Sequence, residues 1–117
     1  MSGVKKKEYK EKYFEMFAIV KNEEMVGCIS LYQHSENVIS CGPEIFDAYQ
    51  RQGVAKEAMS LTMDIAKSKG YKVVLQQIRA DNVASIALHN SLGFETDGYI
   101  YRNKKGNEVL IYLKSLV

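Results

Sequence analysis

The sequence predicts a small α/β domain, with a mixed, mostly antiparallel sheet that holds one central parallel strand pair. The expected order is β-β-β-α-β-α-β-β. Three observations predict it. Before residue 47 the apolar residues fall in short β-rich runs separated by polar turns. From Gly53 the apolar period becomes helical. A strand-length apolar run, residues 72–78, then lies between two helical segments.

Residues 13–20, with Phe14, Phe17 and Ile19, form the first expected strand, and Lys21-Asn22-Glu23-Glu24 the turn after it. Residues 25–32 form the second, and residues 34–37 a hairpin turn. Residues 38–46 form the third. Gly42-Pro43 interrupts it, and because proline brings no ladder donor, a bulge or strand splaying is expected there. Val54, Ala58, Leu61 and Ile65 then share one helical stripe that stops at Gly70. In residues 72–78, Val73-Val74-Leu75 reads as buried on both faces. A second helix spans residues 82–92, with Gly93 as left-handed cap and Phe94 as the contact after it. Residues 94–101 and 109–116 are the last strands, joined by a turn at 103–107. The β-α-β unit implies that strands 38–46 and 72–78 are parallel, with a right-handed crossover. Ligands of such units sit outside the carboxyl ends of the strands.

A chain of 117 residues fits one domain, residues 1–117, with 46% apolar and 26% charged residues. The net charge of +2 demands neither a nucleic-acid nor a membrane partner. The basic start, Lys5-Lys6-Lys7, is balanced by Glu8 and Glu11 and reads as a solvated tail or short helix. The apolar run Met16 to Val20 is too short for a signal-peptide core or a membrane span. Cys28 and Cys41 are expected as reduced, buried thiols, consistent with a cytoplasmic protein. No cysteine–histidine cluster has zinc spacing, so no metal is expected.

Two blocks carry chemistry. The first is Gln50-Arg51-Gln52-Gly53-Val54-Ala55, between a strand and a helix. Small residues at 53 and 55 let a ligand approach the backbone, the first helical N–H groups are unpaired, and Arg51 adds charge. Together they suit a pyrophosphate. The same residues also suit a plain tight turn. Neither a Walker A loop nor a dinucleotide fingerprint is present. The second block runs from Asn82 through Ser85, Leu88 and His89 to Gly93-Phe94. Asn82 reads locally as a helix cap and Gly93 as a helix stop.

The two blocks, some thirty residues apart and each following a strand, resemble the GNAT superfamily of CoA-dependent N-acetyltransferases. The pyrophosphate motif Arg/Gln-x-x-Gly-x-Gly/Ala is matched by Gln50, Gly53 and Ala55. The second motif is matched by Asn82, Ser85, Leu88, Gly93 and Phe94. The run from Ser85 to His89 is similar to phosphinothricin-type acetyltransferases, and Gly53 to Ala58 to the ribosomal-protein N-terminal group.

The resemblance implies acetyl-CoA as co-substrate and a small-molecule or peptide amine as acceptor. Backbone N–H groups of Gln52, Gly53, Val54, Ala55 and Lys56 would cradle the pyrophosphate, with Gln50 and Arg51 alongside. The strand near Ile45 and Phe46 would pair with the pantetheine arm and offer an N–H to the thioester oxyanion. Asn82 and Ser85 would touch the cofactor. His89 stands where many members carry a tyrosine that protonates the leaving thiolate, and reads either as that acid or as a helix-surface residue. The usual strand carboxylate is replaced by Ser40, and Glu44 is the alternative base, or else a structural or solvated residue. The family places a strand and two helices before residue 13, where this chain has only residues 1–12. The acceptor groove is then open, completed by a partner chain, or completed by an upstream segment. Self-association is expected, with a two-fold dimer as the simplest closure. The sequence therefore predicts an N-acetyltransferase. The competing reading is a non-catalytic acyl-CoA-binding or regulatory module.

Overall fold

The structure, a computed structural model, describes residues 12–117; the basic run at 5–7 lies outside the described residues. Its elements are β1 (Phe14–Lys21), β2 (Glu24–Ser35), β3 (Val38–Ile45), a 3₁₀ turn (Asp47–Tyr49), α1 (Val54–Ser68), β4 (Val73–Arg79), α2 (Val83–Ser91), β5 (Glu95–Thr96), β6 (Tyr101–Arg102) and β7 (Glu108–Ser115). All the strands join one sheet in the order β1-β2-β3-β4-β7-β5, with β6 also on β7. Every pairing is antiparallel except β3 with β4.

The predicted class and order therefore hold. Asn22 and Glu23 both adopt left-handed φ (53° and 66°), the geometry of a two-residue turn matched to strand twist. The expected strand 94–101 is broken instead. Gly98 turns the chain at φ 76°, and the Asp97 side chain accepts from the Tyr99 N–H at 2.9 Å, so only two-residue pieces pair with β7.

Both helices pack on one face of the sheet. Ile29 and Leu31 of β2, Ile39 and Cys41 of β3 and Val74 of β4 meet Ala58, Met59, Met63 and Ala66 of α1. Fully burying a side chain such as Ile39 contributes about 1.5–3 kcal/mol. The second helix sets its one buried residue, His89, against Gln76 of β4 and Tyr112 of β7. On the opposite face the register pairs Phe14 with Tyr32, Tyr32 with Ser40 and Leu75 with Leu113, and the Ser40 hydroxyl bonded to the Leu75 carbonyl joins them into a row across the sheet. No helix among the described residues covers that row, and Phe14, Tyr32 and Leu113 are exposed.

Candidate functional site

The parallel pair does not stay paired. β3 and β4 are in register only at Val38↔Val73 and Ile39↔Val74, although β3 continues to Ile45 and β4 to Arg79. Past those two rungs the strands part into a V that widens toward their carboxyl ends. The Phe46 N–H donates to the Val26 carbonyl at 2.9 Å, so the even residues of this stretch turn their backbone groups to β2. The odd residues, Cys41, Pro43 and Ile45, turn theirs into the gap. The disturbance expected at Gly42-Pro43 is thus splaying and not a bulge. The β2–β3 register runs through both residues unbroken, and its irregularity lies at Gln33/Ser35. Pro43 sits where no ladder donor is needed.

Two side chains close the narrow end of the V. Gln76 reaches across it: its Nε2 donates to the Cys41 carbonyl at 2.7 Å and its Oε1 accepts from the Cys41 N–H at 3.0 Å. One amide thereby replaces the strand partner that Cys41 has lost. On the other face, the Ser40 hydroxyl donates to the Leu75 carbonyl, and His34 Nε2 lies 2.5 Å from the Ser40 Oγ. With Cys41 N–H occupied and Pro43 lacking one, Ile45 carries the free donor along this edge of β3.

His89 stands behind Gln76. It is 3% exposed, packed edge-on against Phe94 and tilted against Tyr112. Its Nδ1–H donates to the Ser85 carbonyl at 2.7 Å, leaving Nε2 to accept from Gln76 Nε2 at 3.3 Å. Burial lowers its pKa below the ordinary imidazole value, and the Ser85 carbonyl offsets this only in part. This corrects the reading of His89 as a helix-surface residue: α2 turns it to the sheet, where burial favours the neutral ring. The rest of the second block behaves as its local reading has it. The Asn82 side chain accepts from the Ser85 N–H at 3.1 Å and caps α2. Gly93, at φ 83°, ends the helix, and the Phe94 N–H returns to the His89 carbonyl at 3.1 Å.

The wide end of the V meets the start of α1. Gly53 is the N-cap, left-handed at φ 76°, and offers no side-chain acceptor. The first intrahelical bond is Glu57 N–H to the Gly53 carbonyl at 3.2 Å, so Val54, Ala55 and Lys56 have no intrahelical acceptor for their N–H groups. Arg51 is also left-handed, at φ 62°, and it, Gln52 and Lys56 are exposed. Gln50 does structural work here, since its Nε2 donates to the Ile45 carbonyl at 3.1 Å and fastens the loop to the end of β3. Phe46, 42% exposed, lies between strand and loop. Glu44 shares the uncovered face with Ser40 and is exposed.

Cys41 is buried, and burial pushes its thiol up to about 11. It is a core thiol. A groove of about 390 Å³ between α1 and β1 is lined by Phe17, Ile29, Leu61 and Ile65, with Lys21 and Glu57 also on its walls, and the residues of the V are not among its lining. Sequence reasoning missed Gln76 and His34. The signal for Gln76 was there: a glutamine directly after Val73-Val74-Leu75, in a strand read as apolar on both faces.

A V in a parallel pair, opening onto a helix N-terminus, has the shape and donors to suit an extended ligand ending in phosphates. The family profile described as "Acetyltransferase (GNAT) domain" matches residues 1–95, and the chain belongs to that family. Over 55 residues it is 38% identical to the [ribosomal protein bS18]-alanine N-acetyltransferase of Escherichia coli (strain K12); the match covers 47% of this chain and 36% of that enzyme. The chain thus matches little more than a third of the length of its curated relatives. The solved ribosomal-protein-S18-alanine N-acetyltransferase from Escherichia coli superposes with TM-score 0.71 at 25% identity, covering 88% of this chain and 69% of that one. The yncA protein of Salmonella typhimurium, solved with its cofactor acetyl-CoA, superposes with TM-score 0.76 at 22% identity, covering 89% of this chain and 65% of that one.

Proposed function

We propose that this chain is an acetyl-CoA-dependent N-acetyltransferase acting on a primary amine of a small molecule or peptide by direct attack on the thioester. The observation that carries this reading is the V between β3 and β4, whose wide end meets the free N–H groups of α1. In this reading Gln52 to Lys56 and Arg51 hold the pyrophosphate at the helix dipole's positive end. The pantetheine arm lies along the gap-facing edge of β3, past Phe46 and Ile45. The Ile45 N–H, on the gap-facing edge of β3, donates to the pantetheine arm as it passes. The helices fill one face, so the amine approaches from the face that carries Glu44 and Ser40. The C–N bond forms, the C–S bond breaks, the ammonium proton passes to Glu44 or water, and the thiolate takes its proton from water. Asn82 and Ser85 border the arm from α2. The high pKa of the buried Cys41 thiol argues against an acyl-cysteine intermediate. A peptide amine is the acceptor class suggested by the bS18 enzymes, and a cytoplasmic location accords with reduced Cys28 and Cys41.

Saturating acetyl-CoA should raise the melting temperature by several degrees, since a ligand bound only to the native state adds roughly 2.7 kcal/mol at a hundredfold excess over Kd. A melting curve unmoved by CoA, acetyl-CoA and longer acyl-CoAs would falsify the reading. One observation favours a second reading, an acyl-CoA-binding module without turnover: Ser40 is committed to Leu75 and the ring of His89 is buried. Release of CoA thiol across an amine panel decides between them.

A further inference from the structure

From the two clasps at the narrow end of the V we infer that Gln76 is the floor of the acyl pocket and sets which acyl chain the protein accepts. The inference rests on the proposal that acyl-CoA lies in the V. Its geometry belongs to this chain's own residues. The Gln76 side chain is 6% exposed and spans the gap at the level of Cys41, bonded to both backbone groups of that residue. It cannot swing aside freely. His89 faces its Nε2, and the His89 ring is held in turn by the Ser85 carbonyl, Phe94 and Tyr112. Ser40 bonded to Leu75 closes the same level from the opposite face.

Chain length places the acyl group against this floor. Between its phosphates and its sulfur, the pantetheine arm has about as many bonds as four residues of extended backbone. Anchored beside Ile45 and running down β3, it brings its sulfur to the level of Cys41, four residues back. An acetyl group then ends at Gln76. Each further methylene must displace a side chain that carries three hydrogen bonds. His89 is a positioning residue here: it touches neither arm nor acyl group and fixes the residue that does.

The test is calorimetric titration of the whole chain with CoA, acetyl-, butyryl- and hexanoyl-CoA, which needs no knowledge of the acceptor. The wild type should bind acetyl-CoA more tightly than hexanoyl-CoA. Gln76→Ala should shrink that ratio by about tenfold or more, the order of discrimination a pocket achieves per methylene, while affinity for CoA itself stays near wild type. Gln76→Asn, which keeps an amide but withdraws it by one methylene, should admit butyryl-CoA and guards against a Gln76→Ala chain that fails to fold. Gln76→Leu, similar in volume without the hydrogen bonds, should relax the preference less than Gln76→Ala. A folded Gln76→Ala or Gln76→Asn chain with the wild-type ratio overturns the inference, as does Gln76→Leu relaxing as far as Gln76→Ala. Failure of the wild type to bind CoA at all would sink the functional reading itself; binding with an unchanged ratio in the variants sinks only the floor.

Discussion

At residue scale, His89 shows how a matched motif position can take a different role. Its position in the block suggested either a proton donor to the leaving thiolate or a helix-surface residue without a role. Its surroundings, a carbonyl at Nδ1, an amide at Nε2 and two aromatic rings, suit the neutral ring. The sign of the consequence follows from linkage. The folded-state pKa is depressed, so between it and the unfolded value near 6.5 the unfolded chain binds more protons than the native one. The contribution of this site to stability is complete above pH 6.5 and is lost progressively as the pH falls toward the folded pKa. Melting temperature should therefore decline below pH 6.5 more steeply in the wild type than in His89→Gln, which keeps polar contacts but cannot ionise. Matching slopes in the two proteins would mean that His89 is protonated as readily in the fold as in the unfolded chain.

At the scale of elements, the cradle depends on how α1 begins. A carbon added at Gly53 would meet no protein atom within 4 Å, so the fold leaves room for one. The backbone does not welcome it: at φ 76° an ordinary residue pays roughly 1–2 kcal/mol, whereas asparagine tolerates the left-handed region better. Gly53→Val should lose both stability and CoA affinity. Gly53→Asn should keep most of its stability and still lose affinity, because its side chain enters the phosphate's space. Melting curves and titrations together check this; wild-type affinity in Gly53→Asn would place the phosphates elsewhere. This element was legible in the sequence because a strand, a small-residue turn and a helical stripe are local signals. So were the Asn82 cap and the Gly93 stop. The clasp was not, because it joins Cys41 to Gln76 and Gln76 to His89 across 35 and 13 residues of sequence. No periodicity shows which buried amide will stand in for a lost ladder bond. The break in the expected strand 94–101 was equally hidden, since it rests on an Asp97 side chain competing with the ladder for the Tyr99 N–H.

At the scale of the whole molecule, the two faces of the sheet differ. One holds α1, α2 and the core. The other presents Phe14 (60% exposed) paired with Tyr32 (41%), Met16 (60%) two residues further along β1, and Leu113 (45%) on β7. Apolar exposure concentrated on one face is a common mark of an interface. A second copy is the simplest occupant, because a two-fold axis lets the same row meet itself. Such an arrangement would also bring the partner's surface beside Glu44 and Ser40, the side from which the amine approaches in the proposed reaction. Sedimentation equilibrium at micromolar concentrations should thus return a dimer. Met16→Lys on the exposed row should shift it toward monomer with little change in melting temperature at low concentration, because a side chain already 60% exposed contributes little to the protomer's own core. Acetyl-CoA binding should persist in the monomeric variant, since the cradle and the V belong to one chain. A wild type that sediments as a monomer across that range would remove the second copy from the uncovered face.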